Sequence, residues 1–217
     1  MTPDKAADQL AALERELGPA GYVDFAVRFA DAAATAYTQA PPPARIDLVK
    51  RGLTAVQRAD QLDPENAAVL KRCAMLTGAL AEVGSTIERP VLAHHFKDYM
   101  DQALKLTPND HVLLHMRGRF VFHLVHLSYI ERKAALMIGE LPAASYELAL
   151  VDLLRAYETE PTAIDNLLII GKCYTQLKDY EKARNFLEQI AELEPNDATD
   201  EIYAEEATEL LKSLPSS

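Results

Sequence analysis

The sequence predicts an all-α chain built as a solenoid of helical hairpins. Three observations predict it. Apolar residues recur at three- and four-residue spacing along most of the chain, the period of helices that bury one face. No stretch shows the period-two alternation between turn residues that marks a strand. Finally, Pro64, Pro108, Pro161 and Pro195 each close a segment with the same internal offsets.

The clearest segment runs from Leu167 to Pro195. It reads Leu167-x-x-Ile170-Gly171-x-x-Tyr174, then Ala183-x-x-x-Leu187, then Pro195, which matches the tetratricopeptide pattern apart from its first aromatic. Gly171 and Ala183 are small, so two antiparallel helices can approach closely. Leu167, Ile170 and Tyr174 form the buried stripe of the first helix, and Leu187 fills the facing seam. Pro195 lacks an N–H and stops the chain. Twelve residues before each proline stand Gly52, Phe96, Ala149 and Ala183, so Phe96 puts a large residue in a small slot. Ten residues after the first three prolines stand Ala74, Gly118 and Gly171. The proline spacings are 44, 53 and 34 residues, and only the last is the standard repeat length. The middle repeats therefore carry insertions between their first and second helices. The expected organisation is a single tetratricopeptide-like domain over 1–217, with repeat units near 22–64, 65–108, 109–161 and 162–195 and a capping helix at 198–213.

Taken in order, Thr2 is expected to cap a helix with Pro3 in its first turn, a stripe of Ala6, Leu10, Leu13 and Leu17, and Gly18 as its end. A helix from Tyr22 to Tyr37 is expected to turn Phe25, Phe29, Ala33 and Ala36 inward, before a break at Pro41-Pro42-Pro43. The next, ending at Leu62, buries Val49, Leu53 and Val56 and shows Arg45, Lys50, Arg51 and Arg58 to water. Helices follow near 67–82, 91–106, 111–127, 129–138, 146–158, 164–178, 180–193 and 198–213.

With 217 residues, 49% hydrophobic and 25% charged, the composition suits a globular chain with a sizeable core. Cys73 and Cys173 fall inside expected helices and read as reduced core residues. The N-terminus has no signal-peptide organisation, and no uncharged apolar run is long enough for a membrane span. The expectation is a cytoplasmic protein that is not an integral membrane protein. The net charge of −11 is concentrated late, with nine acids and no base from Glu188 to Glu209. That run reads as a solvated outer helix, or as a surface for a basic partner. No basic stripe with interleaved aromatics supports nucleic-acid binding.

Catalytic patterns are missing as well. There is no phosphate-binding glycine loop, no GxSxG and no HExxH. His94-His95, His111/His115 and His123/His126 lack further ligands at metal-site spacing. The chain reads as a non-enzyme without cofactor or metal. Function in such a fold lies on the concave face of the first helices. The positions expected there are Lys71, Met75, Gly78 and Ala79; His115, Arg119, Phe122 and His123; and Leu168, Lys172, Thr175 and Gln176. These twelve include Lys71, Arg119 and Lys172 and no acid, which points to an acidic peptide or anionic headgroup as ligand.

Four segments stand out: Tyr99-Met-Asp-Gln-Ala-Leu-Lys-Leu-Thr-Pro108, the insertion around Tyr129 to Arg132, Leu141-Pro-Ala-Ala-Ser-Tyr-Glu-Leu-Ala-Leu150, and Asn166-Leu-Leu-Ile-Ile-Gly-Lys172. Through them the chain, from about Tyr22 to Leu211, resembles the regulator of microtubule dynamics family. It implies a helical domain that associates with microtubules and spindle poles and supports chromosome segregation. In some members it implies phospholipid binding at organelle contacts. The expected partners are therefore microtubules, tubulin or another acidic peptide partner, with cytoskeleton and spindle as location. A phospholipid is the alternative ligand, supported by the apolar run from Phe120 to Ile130.

Overall fold

The computed structural model describes residues 3–39, 42–85 and 87–215. Among them every regular element is a helix: α1 (Pro3–Gln39), α2 (Pro42–Leu62), α3 (Ala67–Val83), α4 (Glu88–Leu106), α5 (His111–Val125), α6 (Tyr129–Ile138), α7 (Tyr146–Thr159), α8 (Ile164–Gln176), α9 (Tyr180–Ile190) and α10 (Ala198–Ser213). Helices pack in sequential pairs: α1 with α2, α3 with α4, α5 with α7, and α8 with α9, while α10 lies on α8 and α9. The chain groups into two compact units. One comprises Met1–Pro108 with Glu131–Glu140, the other Asn109–Ile130 with Leu141–Ser217.

In the first unit α1 is interrupted at Gly18, whose φ of 70° and ψ of 171° break the helical ladder. That left-handed φ suits a residue without Cβ, and Pro19 restarts the helix directly after it. Thr2, Pro41 and the side chains of Ala6, Pro42 and Pro43 lie outside the described residues. Pro42 and Pro43 fall in the first turn of α2. Two expected faces need correction. Leu17, the last residue before the break, is 44% exposed. On the second half of α1 the fully buried face is Tyr22, Ala26, Ala30 and Ala33, while Phe25 and Phe29 are only half-buried. The reason is the crossing with α2: a Cβ on Gly52 would stand 3.0 Å from Ala33 Cβ. Alanines fit that approach and phenylalanines do not. The two rings instead stack at 5.6 Å on the flank, and the Arg51 guanidinium lies over Phe29.

Val49, Leu53 and Val56 of α2 are buried as expected. Of the four bases placed in water, Lys50 is exposed, Arg45 and Arg51 are half-buried, and exposed Arg58 makes a two-pronged ion pair with Glu14. α4 starts three residues earlier than predicted. Ser85 Oγ accepts from Glu88 N while Glu88 Oε2 accepts from Ser85 N, a capping box that places Pro90 harmlessly in the first turn. The misplaced bulk of Phe96 is matched across the seam, where its ring lies 3.1 Å from the position a Cβ on Gly78 would take.

In the second unit two glycines lie where paired helices nearly touch. A Cβ on Gly171 would stand 2.5 Å from Leu187 Cδ2, and one on Gly118 2.6 Å from Leu153 Cγ. The leucine seated under each glycine stands in the same place of the motif. α5 and α7 pack together although α6 separates them in sequence. Arg117 joins that pair by donating to both oxygens of buried Asp152 at 2.6 and 2.7 Å. Such a fork is strong because both bonds are charge-assisted and parallel. The turn from α8 to α9 is a Schellman motif. Asp179 N donates to Tyr174 O and Lys178 N to Thr175 O, with Lys178 in the left-handed region at φ 61°.

Cys73 and Cys173 are buried and free. Burial, then the charge of Glu147, pushes the Cys173 thiol up to about 12. Burial, then Asp60, pushes Cys73 higher still. Neither is a nucleophile at neutral pH.

Gly171→Leu should cost about 1–3 kcal/mol or more by overpacking. Gly139→Leu should cost far less, because a Cβ there meets only the edge of the half-exposed His94 ring. Equal melting temperatures for the two variants would contradict the seam. Lys178→Gly relieves a left-handed lysine and should stabilise by up to about 1 kcal/mol; a lowered melting temperature would refute that account of the turn.

Candidate functional site

The second unit gathers seven of the eight residues singled out as a partner-binding groove: His115, Arg119, Phe122 and His123 on α5, and Lys172, Thr175 and Gln176 on α8. The eighth, Lys71, lies half-buried on α3 in the first unit. Three other positions expected to face the groove serve packing. Gly78 is covered by Phe96, the Ala79 carbonyl accepts from Tyr37 Oη at 3.4 Å, and Leu168 is 1% exposed.

α5 and α8 are tied by a buried amide. Asn166 donates through Nδ2 to the Leu153 carbonyl at 3.0 Å, which leaves Oδ1 to accept from His115 Nδ1 at 2.9 Å. One buried side chain thus joins α5, α7 and α8. The other ring nitrogen of His115 faces Asp165 Oδ2 at 3.0 Å without lining up as a hydrogen bond. Burial raises the Asp165 carboxyl, but the His115 ring, the Asn166 N–H and Arg119 outweigh it and hold the pKa below its ordinary value. Asp165 is therefore a resident anion at this wall.

Beside it lies a small cavity of about 90 Å³, lined by Arg119, His123, Lys172 and Tyr203 among others. Lys172 also borders a second cavity of about 490 Å³, within the range of small-ligand sites. Phe122, His126, Thr175 and Gln176 form its α5 and α8 side. Glu206, Glu209, Leu210 and Ser213 of α10 form the other. Phe122 is buried at the floor, 4.5 Å from the His126 ring and 6.0 Å from that of Tyr146, centroid to centroid. Thr175 Oγ donates to its own helix at Gly171 O. Lys172 Nζ meets Glu206 Oε1 at 2.7 Å.

The charge of this wall differs from the sequence reading. The twelve residues contain no acid, yet folding brings Asp165, Glu206 and Glu209 beside them. Glu206 and Glu209 belong to the acidic run read as a solvated helix. Tyr203, Glu206, Leu210 and Ser213 recur at three- and four-residue steps, which is one helical face, but nothing in α10 says where that face points. His123 adds little charge. Crowding by protein, then Arg119, His126 and Lys172, pushes His123 down to about 4 although its ring reaches solvent. It is neutral at physiological pH, so Arg119 and Lys172 carry the permanent positive charge. Among the described residues no group of three or more His, Cys, Asp or Glu side chains converges as a metal site, and no helix is long and apolar enough to cross a membrane.

A family model described as regulator of microtubule dynamics protein 1-3 matches residues 3–215. Regulator of microtubule dynamics protein 1 of Caenorhabditis elegans is 36% identical over 155 residues, covering 71% of this chain and 69% of that protein. Protein 2 of Homo sapiens is 32% identical over 137 residues, 62% of this chain and 33% of its own length. Protein 3 of Rattus norvegicus is 33% identical over 151 residues, 67% of this chain and 31% of its own length. The chain thus spans about one third of these two mammalian relatives. It belongs to the regulator of microtubule dynamics protein 1-3 family.

Proposed function

We propose that the chain is a non-catalytic interaction module that associates with microtubules or a spindle-associated partner. Its helix pairs stack as a tetratricopeptide-like solenoid capped by α10. The wall of α5 and α8 holds an acidic segment through Arg119 and Lys172, with His115, His123, Thr175 and Gln176 as hydrogen-bonding neighbours and Phe122 as apolar floor. Lys71 is the corresponding cation of the first unit. The observation that carries this reading is the placement of Lys172. It is a lysine with a side chain only 25% exposed, set between two cavities and already engaged with a carboxylate. Family membership supplies the class of partner, since the relatives are named for microtubule dynamics. Tubulin's exposed tails are acidic. A chain of net charge −11 would meet them most favourably where its cations are grouped.

The test neutralises the two cations rather than reversing them, because Asp165 and Glu206 stand beside them. Charge-assisted bonds are worth about 1.5–3 kcal/mol each where water is partly excluded, and less when exposed. Arg119→Gln/Lys172→Gln should weaken microtubule co-sedimentation at least about tenfold with helical circular dichroism unchanged. Added salt and proteolytic removal of the tubulin tails should act in the same direction. Because the His123 pKa is held down to about 4 and the ring is neutral near pH 7, His123→Gln should change binding by less than about twofold. Pelleting of the double variant like the parent would rule this surface out.

A phospholipid is the second reading. What favours it is the larger cavity, where Phe122 and Leu210 stand beside Lys172, a pairing suited to an acyl chain and an anionic headgroup. A lipid adduct in the native mass spectrum of the purified protein supports it, and a bare mass counts against it.

A further inference from the structure

We infer that Glu206 is an internal placeholder for the partner's carboxylate, and that the partner is an acidic helix with an apolar residue one turn after the acid. This rests on the proposed role of the α5–α8 wall and adds the shape of what that wall accepts. α10 presents Tyr203, Glu206, Leu210 and Ser213 on one face. This is the anchor spacing by which an amphipathic helix lies in a groove. Glu206 engages Lys172 at 2.7 Å, and Leu210, four residues on, faces the same cavity as Phe122. The wall therefore displays its own preference: acid toward Lys172, then an apolar side chain toward Phe122.

The contact is also built to yield. α10 is held independently of the Glu206 ion pair, through buried Ala207 and Leu214, with Tyr203, Ala204, Leu210 and Leu211 packed against the same core cluster of α8 and α9. Releasing Glu206 does not require α10 to leave. The Glu206 side chain is 48% exposed, and ion pairs so exposed are weak enough for a competing carboxylate to replace them. Glu209 differs. It borders the same cavity but pairs with Lys212 of its own helix, so it holds no cation of the wall.

The probe is a synthetic peptide copying residues 198–213, titrated into the full chain by fluorescence anisotropy. Glu206→Gln in the protein should tighten its binding about three- to fivefold, the range expected for releasing one exposed ion pair. Glu209→Gln should change it by less than about twofold. The gain should vanish in Glu206→Gln/Lys172→Gln, and equally when the peptide itself carries glutamine for its acid at 206. Equal binding by parent and Glu206→Gln would overturn the placeholder while leaving the wall an acid-binding surface. No binding by either protein would overturn both readings. A concentration-dependent dimer of Glu206→Gln in sedimentation would put a second copy on the wall and would also overturn the inference.

Discussion

The second unit depends on how closely its paired helices can cross. At Gly118 and Gly171 the seat for a Cβ is already filled by Leu153 and Leu187, so the helices meet backbone against side chain. That approach lets Leu167, Ile170, Leu153 and Leu187 all become fully buried in short helices. It also fixes the helices so that the residues on their far sides form a wall. The Asn166 amide then sets α5 against α8 by satisfying His115 and the Leu153 carbonyl at once. An unsatisfied amide at that depth would cost about 1–3 kcal/mol. The buried hydrogen bond therefore specifies which neighbours are acceptable, while the packing supplies the stability.

Much of this was legible because it is local. Helix period, caps and small-residue slots are written within a few residues of where they act, so α6 and α10 were placed to the residue and α3 and α7 within one. The faces of α1 were harder. Phe25 and Phe29 share helical spacing with Ala26, Ala30 and Ala33, and hydrophobicity alone favours the larger rings for the core. What decides is the tight crossing with Gly52, a constraint supplied by another helix. The early start of α4 was hidden for a related reason. A proline reads as a stop unless Ser85 and Glu88 are recognised as a pair that starts the helix ahead of Pro90.

The site shows the same division. Positions on α5 and α8 follow from the repeat register, and seven of them do fall in one unit. Their electrostatics do not follow, because charge sums over everything nearby regardless of sequence distance. Glu206 lies more than thirty residues from Lys172, and Asp165 faces His115 from a different helix. A net count of cations on first helices leaves out both. The folded wall places carboxylates of the chain itself beside its cations, Glu206 on Lys172 and Asp165 within the field of Arg119. On the proposed reading, such a surface would exchange one acid for another rather than capture any anion.

The central claim is that partners attach at the wall formed by α5 and α8. Hydrogen–deuterium exchange with and without microtubules measures this most directly. The account predicts that binding slows exchange in peptides from 111–125 and 164–176, and that α10 near Glu206 exchanges faster as its contact with Lys172 is released. Protection confined to α2, at the exposed bases Lys50 and Arg58, with α5 and α8 unchanged, would contradict it.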